Sequence, residues 1–578
     1  MAFLVSPGVN TSEIDLTTSV PAVGTSTGAT VGFFRWGPAS VVVQVSNEVD
    51  LSEKFFKPDN NTAASFLSAA NFLAYGNDLR VIRVISNTAG ANCSNNAVSN
   101  SNSYITIPND ESYFTNQYGS SNADIAWAAR YPGSLGNSLK VSVCANTADF
   151  ANWVYAPYFD SAPNTSAYAL SVTNNNYIRD ELHMVVVDED GVVTGVANTV
   201  LERYSNLSKA SDAKGDDGAS IFYKEVIFRN SKYIHWMGHL SGANSAWGNT
   251  VVQANAAGVF YSPTNPTYSL SNGADGSPTQ GDMITAIDLF SNKEELDISL
   301  LFAGDCLVSA NSSINSREIA DEYLGLAFDR KDCVAFVSPT YAASVTSTSK
   351  ASDIVSFRNS LTQGTSYGVL DSGWKYQYDK YNDVYRWIPL NADIAGLCVR
   401  TDLQRDPWFS PAGVNRGQIR NLVKLSFNPT QSERDTLYKA GVNPVVSFPG
   451  EGTILYGDKT LQGRPSAFDR INVRRLFIVL EKAISRAARA SLFEFNDEFT
   501  RAQFVALVEP FLRDVQGRRG IYDFRVVCDE TNNTPAVIDR NEFVGDIYVK
   551  PARSVNFIQL NFVAVRSGVS FDEIVGRF

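Results

Sequence analysis

Residues 298–304 read Ile-Ser-Leu-Leu-Phe-Ala-Gly, residues 316–330 read Ser-Arg-Glu-Ile-Ala-Asp-Glu-Tyr-Leu-Gly-Leu-Ala-Phe-Asp-Arg, and residues 334–337 read Val-Ala-Phe-Val, closed by Pro339. The first and last runs are short and apolar, the signature of strands covered on both faces. Between them Ser316 is a ready N-cap, and Ile319, Tyr323 and Leu326 share one face of a helix that runs to about Arg330. Strand, amphipathic helix and strand make the βαβ unit of a parallel sheet. Ile284 to Phe290 reads as a short helix leading into it.

The N-terminal flank repeats the theme. Two β-rich runs between Ala29 and Val45 are split by Gly37-Pro38, and Ala63 to Tyr75 sets Phe66, Ala69, Ala70 and Leu73 at helical spacing before Gly76. Leu79-Arg-Val-Ile-Arg-Val-Ile85 is then a strand. Residues 86–125 turn to Asn, Ser and Gly and open an insertion, with a short strand expected at Tyr104, Ile105 and Ile107. Met184–Asp188 and Gly191–Gly195 predict a hairpin turning at Asp190-Gly191, because glycine supplies the positive φ of a tight turn.

The C-terminal third predicts a helix from Asn472 to about Ser491, with Phe477, Leu480, Ile484 and Ala488 inward and Arg475, Lys482, Arg486 and Arg489 outward. A second helix, Asp497 to Gln516, lines up Phe504, Val508, Phe511 or Leu512, and Val515, with Gly517 as its C-cap. Strands are expected at 521–527 and 558–564. Residues 1–20 and 566–578 read as extended arms with apolar anchors at Phe3, Val5, Val9, Val569, Phe571 and Ile574.

The expected division is an arm (1–20), a core from 21–89 with 346–455, a β-rich outer insertion (90–195), a second inserted α/β domain (196–345), an α+β domain (456–565) and an arm (566–578). The fold class is mixed α/β and α+β, multidomain, around a parallel sheet. A chain of 578 residues exceeds one core. No apolar run reaches the ~20 residues that cross a bilayer, and Met-Ala-Phe-Leu-Val-Ser-Pro-Gly lacks the basic start of a signal peptide, so folding in cytosol is expected. Six scattered cysteines without a Cys-x-x-Cys pair read as reduced and buried. A formal charge of −12 argues against general nucleic-acid affinity.

Chemical motifs fail on inspection. In Gly452-Thr-Ile-Leu-Tyr-Gly457-Asp458-Lys459-Thr460, Asp458 stands where a phosphate loop needs lysine, so a strand and turn is expected. His235-Trp-Met-Gly-His239 has the spacing of a zinc helix without its glutamate, and Gly238 weakens any helix. The three histidines, His183, His235 and His239, have no triad context. Asp188-Glu-Asp190 and Asp212…Asp216-Asp217 miss calcium-loop spacing. No catalytic, cofactor or metal residue is therefore expected. Residues 464–519 hold eleven basic and seven acidic side chains, a net +4 against an acidic whole.

Pro389-Leu-Asn-Ala-Asp-Ile-Ala-Gly396 through Trp408-Phe-Ser-Pro-Ala-Gly413 resembles a signature of contractile tail sheath proteins. Ser6-Pro7-Gly8-Val9, Trp36-Gly37-Pro38-Ala39, Phe72 to Val81, Val442-Asn443-Pro444, Gly457 to Leu461, Val473 to Leu476, Phe493-Glu494-Phe495-Asn496 and Tyr548 to Ala552 agree in the same order, the N-terminal blocks being most like T-even-like myoviruses. The resemblance implies a subtilisin-like α/β domain, a tube-facing C-terminal domain and arms that add strands to neighbouring subunits. It also implies stacked, sixfold rings forming a helical sheath, with tail tube, baseplate and tail terminator as partners, no direct nucleic-acid contact, no membrane insertion, and a place in the virion tail after assembly in host cytoplasm. Arg513, Arg518 and Arg519 are then candidates for tube contact. The rival readings are a surface adhesin or capsid-type protein, or a hydrolase on the α/β domain.

Overall fold

Seven strands build the central sheet of the computed structural model, which describes residues 24–86, 105–119, 125–239, 246–257, 259–304 and 314–556. They are β1 (Gly28–Gly32), β2 (Val42–Val45), β3 (Leu79–Arg83), β4 (Leu300–Phe302), β5 (Val334–Val337), β6 (Gly368–Asp371) and β7 (Val442–Asn443), in the order β7-β6-β5-β4-β1-β3-β2. Every neighbouring pair is parallel except β2 and β3. β1, β4 and β5 are buried along their whole length; β4 and β5 are accordingly unbroken apolar runs, while β1 buries Thr30 among small and apolar residues. Helices Ala63–Leu73 and Ser316–Arg330 form where their periodicity places them. Asn315, one residue before the expected cap, accepts from the Arg317 N–H. Phe72 stacks on Phe302 at 5.2 Å and ties the first helix to β4.

The chain goes from β1 to β3 on one side, then returns past β1 to build β4 to β7 on the other. The reversal between β1 and β4 is a topological switch point, the place where open α/β sheets take ligands.

Between β3 and β4 the chain forms a second, antiparallel sheet in the order Thr199–Ser208, Glu181–Asp188, Leu139–Cys144, Thr267–Ser269, and a ribbon of Trp127–Ala129 with Ile234–Trp236. Trp127, Val141, Met184, Trp236 and Phe260 give it its own core. An expected boundary at 195 thus falls between two paired strands, and the segment carrying β4 and β5 belongs to the central sheet. The expected hairpin partner at 191–195 is also corrected. Asp188 gathers that stretch into a loop, accepting from the Val193 and Thr194 N–H groups and from the hydroxyls of Thr194 and Ser138, and pairing resumes only at Thr199. These donors hold its carboxyl below the usual range despite burial. Ile105 and Ile107 form no strand and precede the short helix Asp110–Tyr113; Tyr104 lies outside the described residues.

Two compact units divide the chain, the larger being 22–407 with 411–482. Helix Ile471–Ala488 buries Val473, Leu476, Leu480, Ala483 and Ala487, a line rotated from the expected one; Phe477 is only half-buried, edge-on to Phe468. In the smaller unit, helix Glu498–Gly517 is capped by Asp497 and buries Phe504, Val508, Leu512 and Val515, leaving Phe511 half-buried. Gly517 is its last helical residue, and the left-handed position falls on Arg519, at φ 67°. Ile521–Val527 pairs with Asp546–Pro551 as an antiparallel hairpin. The strand expected at 558–564, and the arms with Phe3, Val5, Val9, Val569, Phe571 and Ile574, lie outside the described residues.

Candidate functional site

The switch-point crevice is where an enzyme on this sheet would work, and here side chains fill it. Helix Asn391–Gln404 is buried over most of its length. The Asn391 amide accepts from Gly304 N–H at 3.1 Å and donates to Gly304 C=O at 3.0 Å, closing the end of β4, while its backbone N–H donates to Ser338 Oγ. Ser338 donates to Asp371 Oδ2 at 2.6 Å, and Gly373 N–H to Asp371 Oδ1 at 2.8 Å. Burial pushes the Asp371 carboxyl up to about 8, against the pull of those two donors and with help from the nearby Asp393 charge.

Two residues on, Asp393 Oδ1 accepts from Lys375 Nζ at 2.9 Å and from the Tyr75 hydroxyl at 3.2 Å; the charged pair is wholly buried. Lys375 also donates to the Arg420 carbonyl. Burial raises the Asp393 carboxyl and lowers the Lys375 ammonium, and the attraction between them opposes both shifts. Gly396 is required by contact, since a Cβ there would lie 2.4 Å from the Tyr75 ring. The stretch 389–396 is thus a plug, its polar residues locking the ends of β4 and β5 to the strand Trp374–Asp379. It holds no nucleophile beside a base.

The remaining motifs also resolve into structure. Gly452–Leu455 is a strand paired with Val445–Phe448; beyond it Asp458 meets Arg470 at 3.3 Å, and Lys459 donates to the Tyr438 carbonyl and covers its ring. His235 lies on a strand, buried and stacked on Tyr113 at 3.9 Å; His239 shares a hydrogen bond with the Tyr223 hydroxyl; His183 bridges the Ser161 carbonyl and the Asn206 N–H. Burial lowers all three, His235 to about 3 and His239 to about 4. Asp212 and Asp217 accept from backbone N–H groups of Val251 and Ala219. Among the described residues no group of three or more His, Cys, Asp or Glu is placed to hold a metal ion.

Much of the basic segment turns inward, against the expectation for Arg475 and Lys482. Arg475 pairs with Asp402 at 2.6 Å, both nearly buried, and Lys482 reaches Asp297 and the Ile298 carbonyl. Arg474 donates to Ser366 and Tyr367 and lies between the Tyr367 and Phe468 rings. A buried guanidinium needs such partners, and net charge along the sequence does not reveal them. The arginines left at the surface include Arg513, Arg518 and Arg519 in the smaller unit. Arg513 faces Glu509 at 3.8 Å, and Arg518 faces Asp514 at 3.5 Å with its guanidinium over the Trp408 ring. Asn391 and Asp393 themselves carry a faint sequence signal, as polar residues beside the apolar run Ile394–Val399.

Three family descriptions match in chain order: "Tail sheath protein Gp18 domain III N-terminal region" at 25–84, "Phage tail sheath protein central domain" at 276–461 and "Phage tail sheath C-terminal domain" at 464–564. The tail sheath protein of Vibrio phage KVP40 is 34% identical over 99% of this chain and 100% of its own. That of Enterobacteria phage T4 is 33% identical over 99% of each. Among solved structures, the sheath tail protein of Desulfitobacterium hafniense superposes with a TM-score of 0.51 at 11% identity, covering 94% of this chain and 100% of its own. The helical sheath of the anti-feeding prophage in its contracted state gives 0.50 at 13% identity, over 97% of this chain and 99% of its own. These two likenesses are of fold, mixed α/β around a parallel sheet.

Proposed function

The chain belongs to the phage tail sheath family, and on that premise we propose how it works as a contractile tail sheath subunit, a structural component of the virion tail and not an enzyme. It polymerises as a helical cylinder of stacked sixfold rings around a tail tube, bounded by baseplate and terminator, after assembly in the host cytoplasm. On a signal from the baseplate the cylinder shortens and widens and drives the tube through the host envelope. The observation that carries this reading is identity above 30% along nearly the whole chain with tail sheath proteins.

Work comes from exchanging one set of subunit contacts for another. If contraction buries on the order of 1,000 Å² more per subunit, the gross gain at ~25 cal/mol/Å² is about 25 kcal/mol. Ordering and polar desolvation offset most of it, leaving a few kcal/mol per subunit. In this reading the parallel sheet is the family's subtilisin-like domain, the antiparallel domain between β3 and β4 faces outward, and the smaller unit faces the tube. Arg513, Arg518 and Arg519 then meet an acidic tube surface, and the arms at 1–20 and 566–578 add strands to neighbours. Electron microscopy of the purified protein tests the reading: regular hollow cylinders support it, and dispersed particles at every protein concentration refute it.

A further inference from the structure

We propose that the antiparallel domain between β3 and β4 is an acid-sensitive module: protonation of His183, His235 and His239 opens it while the central sheet stays closed. These are all the histidines of the chain. His183 lies on the strand Glu181–Asp188, His235 on the strand Ile234–Trp236, and His239 three residues beyond it. Imidazole is the side chain whose ordinary titration falls between pH 5 and 8.

His183 stands at a bulge of the antiparallel sheet, where the pairing shifts between Leu182 and Met184. Its Nε2 faces the Ser161 carbonyl at 2.8 Å and so carries the proton, which leaves Nδ1 to accept the Asn206 N–H at 3.0 Å. Imidazolium has two donors and no acceptor. A second proton therefore sets Nδ1–H against the Asn206 N–H and breaks the bond the ring supplies across the bulge. His239 is wired alike. Trp236 Nε1 donates to the Tyr223 oxygen at 2.9 Å, and the phenolic hydrogen donates to His239 Nδ1 at 2.7 Å. A proton on that Nδ1 puts two donors on one oxygen and displaces the phenolic hydrogen. His235 is buried and stacked on Tyr113 at 3.9 Å, and neither ring nitrogen has a hydrogen-bond partner among the described residues. Imidazolium there would bury two unpaired N–H groups and a charge.

The neighbouring charges do not rescue the charged rings. Around His183 lie Glu181 of its own strand, the Cys144 thiol opposite it, and exposed Arg203 opposite Val185 on the third strand. Glu181 favours the charged ring, yet burial outweighs it. His239 meets the Lys224 ammonium, and His235 meets the Arg130 guanidinium. Asp110 lies 3.7 Å from His235, but both its carboxylate oxygens accept from Arg130. All three rings are thus held below the ordinary ~6.5, His235 at about 3 and His239 at about 4. The unfolded chain takes up these protons first, so the stability present above pH ~6.5 is lost as pH falls toward 4. In the same domain Asp188 responds only below pH ~4, and Lys209, which burial brings to about 7, responds above that value. The central sheet carries no histidine, and its Asp371 gains a proton on folding, so the same fall in pH steadies it.

Hydrogen–deuterium exchange of the unpolymerised full chain at pH 6.5 and pH 5, corrected for intrinsic rates, tests the proposal. A ring at ~6.5 unfolded and at 3 or 4 folded multiplies the opening constant about 15-fold between those two pH values, so His235 and His239 alone supply about 200-fold. Protection within 139–144, 181–188 and 234–236 should fall at least about 100-fold, while protection within 300–302 and 334–337 holds or rises. A flat response in the antiparallel domain, or an equal fall in the central sheet, overturns the proposal. His183→Asn with His239→Asn sets an amide oxygen near each Nδ1, an acceptor that takes no proton. That variant should keep native circular dichroism at pH 7 and lose at least about tenfold of the pH response; an unchanged response overturns the proposal. Exchange of the imidazole C2–H in the parent chain reads each ring without substitution, and decides the matter if the variant fails to fold. Titration of all three rings below their ordinary value is expected, and an ordinary or higher value at any of them overturns the proposal.

Discussion

Lys375 and Asp393 are a charged pair with no solvent exposure, held at 2.9 Å, and their separation is the sharpest test of the plugged crevice. Lys375→Met leaves the Asp393 carboxylate buried with the Tyr75 hydroxyl as its remaining donor, and takes a donor from the Arg420 carbonyl. An uncompensated buried charge costs about 3–5 kcal/mol, and the orphaned carbonyl adds about 1 kcal/mol. Lys375→Met with Asp393→Leu removes both charges together and leaves mainly unpaired neutral groups, for a loss of about 1–3 kcal/mol. Denaturant unfolding of unpolymerised protein should therefore show the double variant more stable than Lys375→Met alone, with a coupling of at least about 2 kcal/mol. Additive losses would mean that the two groups are solvated independently, and that the crevice is open.

Asp371→Asn tests the second buried carboxyl. Its native value of about 8 lies above the ~3.9 of an unfolded chain, so the stability it contributes is complete below pH ~4 and is lost as pH rises to about 8. The melting temperature of the variant should gain on the parent from pH 5 to 8, and a constant gap would remove this carboxyl from the account. Gly396→Ala should lower stability by about 1–3 kcal/mol despite alanine's better helix propensity, because the added methyl meets the Tyr75 ring; a raised melting temperature would contradict the contact. Arg518→Glu with Arg519→Glu should impair assembly on tubes and spare tube-free polymerisation, whereas equal loss of both would assign these residues to contacts within the sheath. Deletion of 566–578 should leave a folded monomer, judged by circular dichroism, that forms no cylinders; normal assembly would make the arm dispensable.

The central sheet is legible because β4 and β5 are buried on both faces and their apolar runs admit one interpretation. Helix Ser316–Arg330 follows from its apolar period, although its cap is Asn315 and not the expected Ser316. The hairpin after Asp188 is not legible in the same way, since four hydrogen bonds to one carboxylate override a glycine turn signal. Arg475 and Lys482 look solvent-facing because a helical wheel ignores what stands opposite, and Asp402 and Asp297 come from distant parts of the chain. The 389–396 stretch shows its resemblance in sequence, but its reason, a polar plug seated among Gly304, Ser338 and Lys375, appears only in three dimensions.

In the proposed function this chain stores work in a polymer of otherwise rigid subunits. Cryo-electron microscopy of sheath assembled on tubes, before and after a contraction trigger, tests it most directly. A shorter and wider cylinder is expected after triggering, with the seven-stranded sheet and its plug superposing between states while contacts between subunits are exchanged. A cylinder of unchanged length, or a shortening achieved by unfolding that sheet, would contradict it.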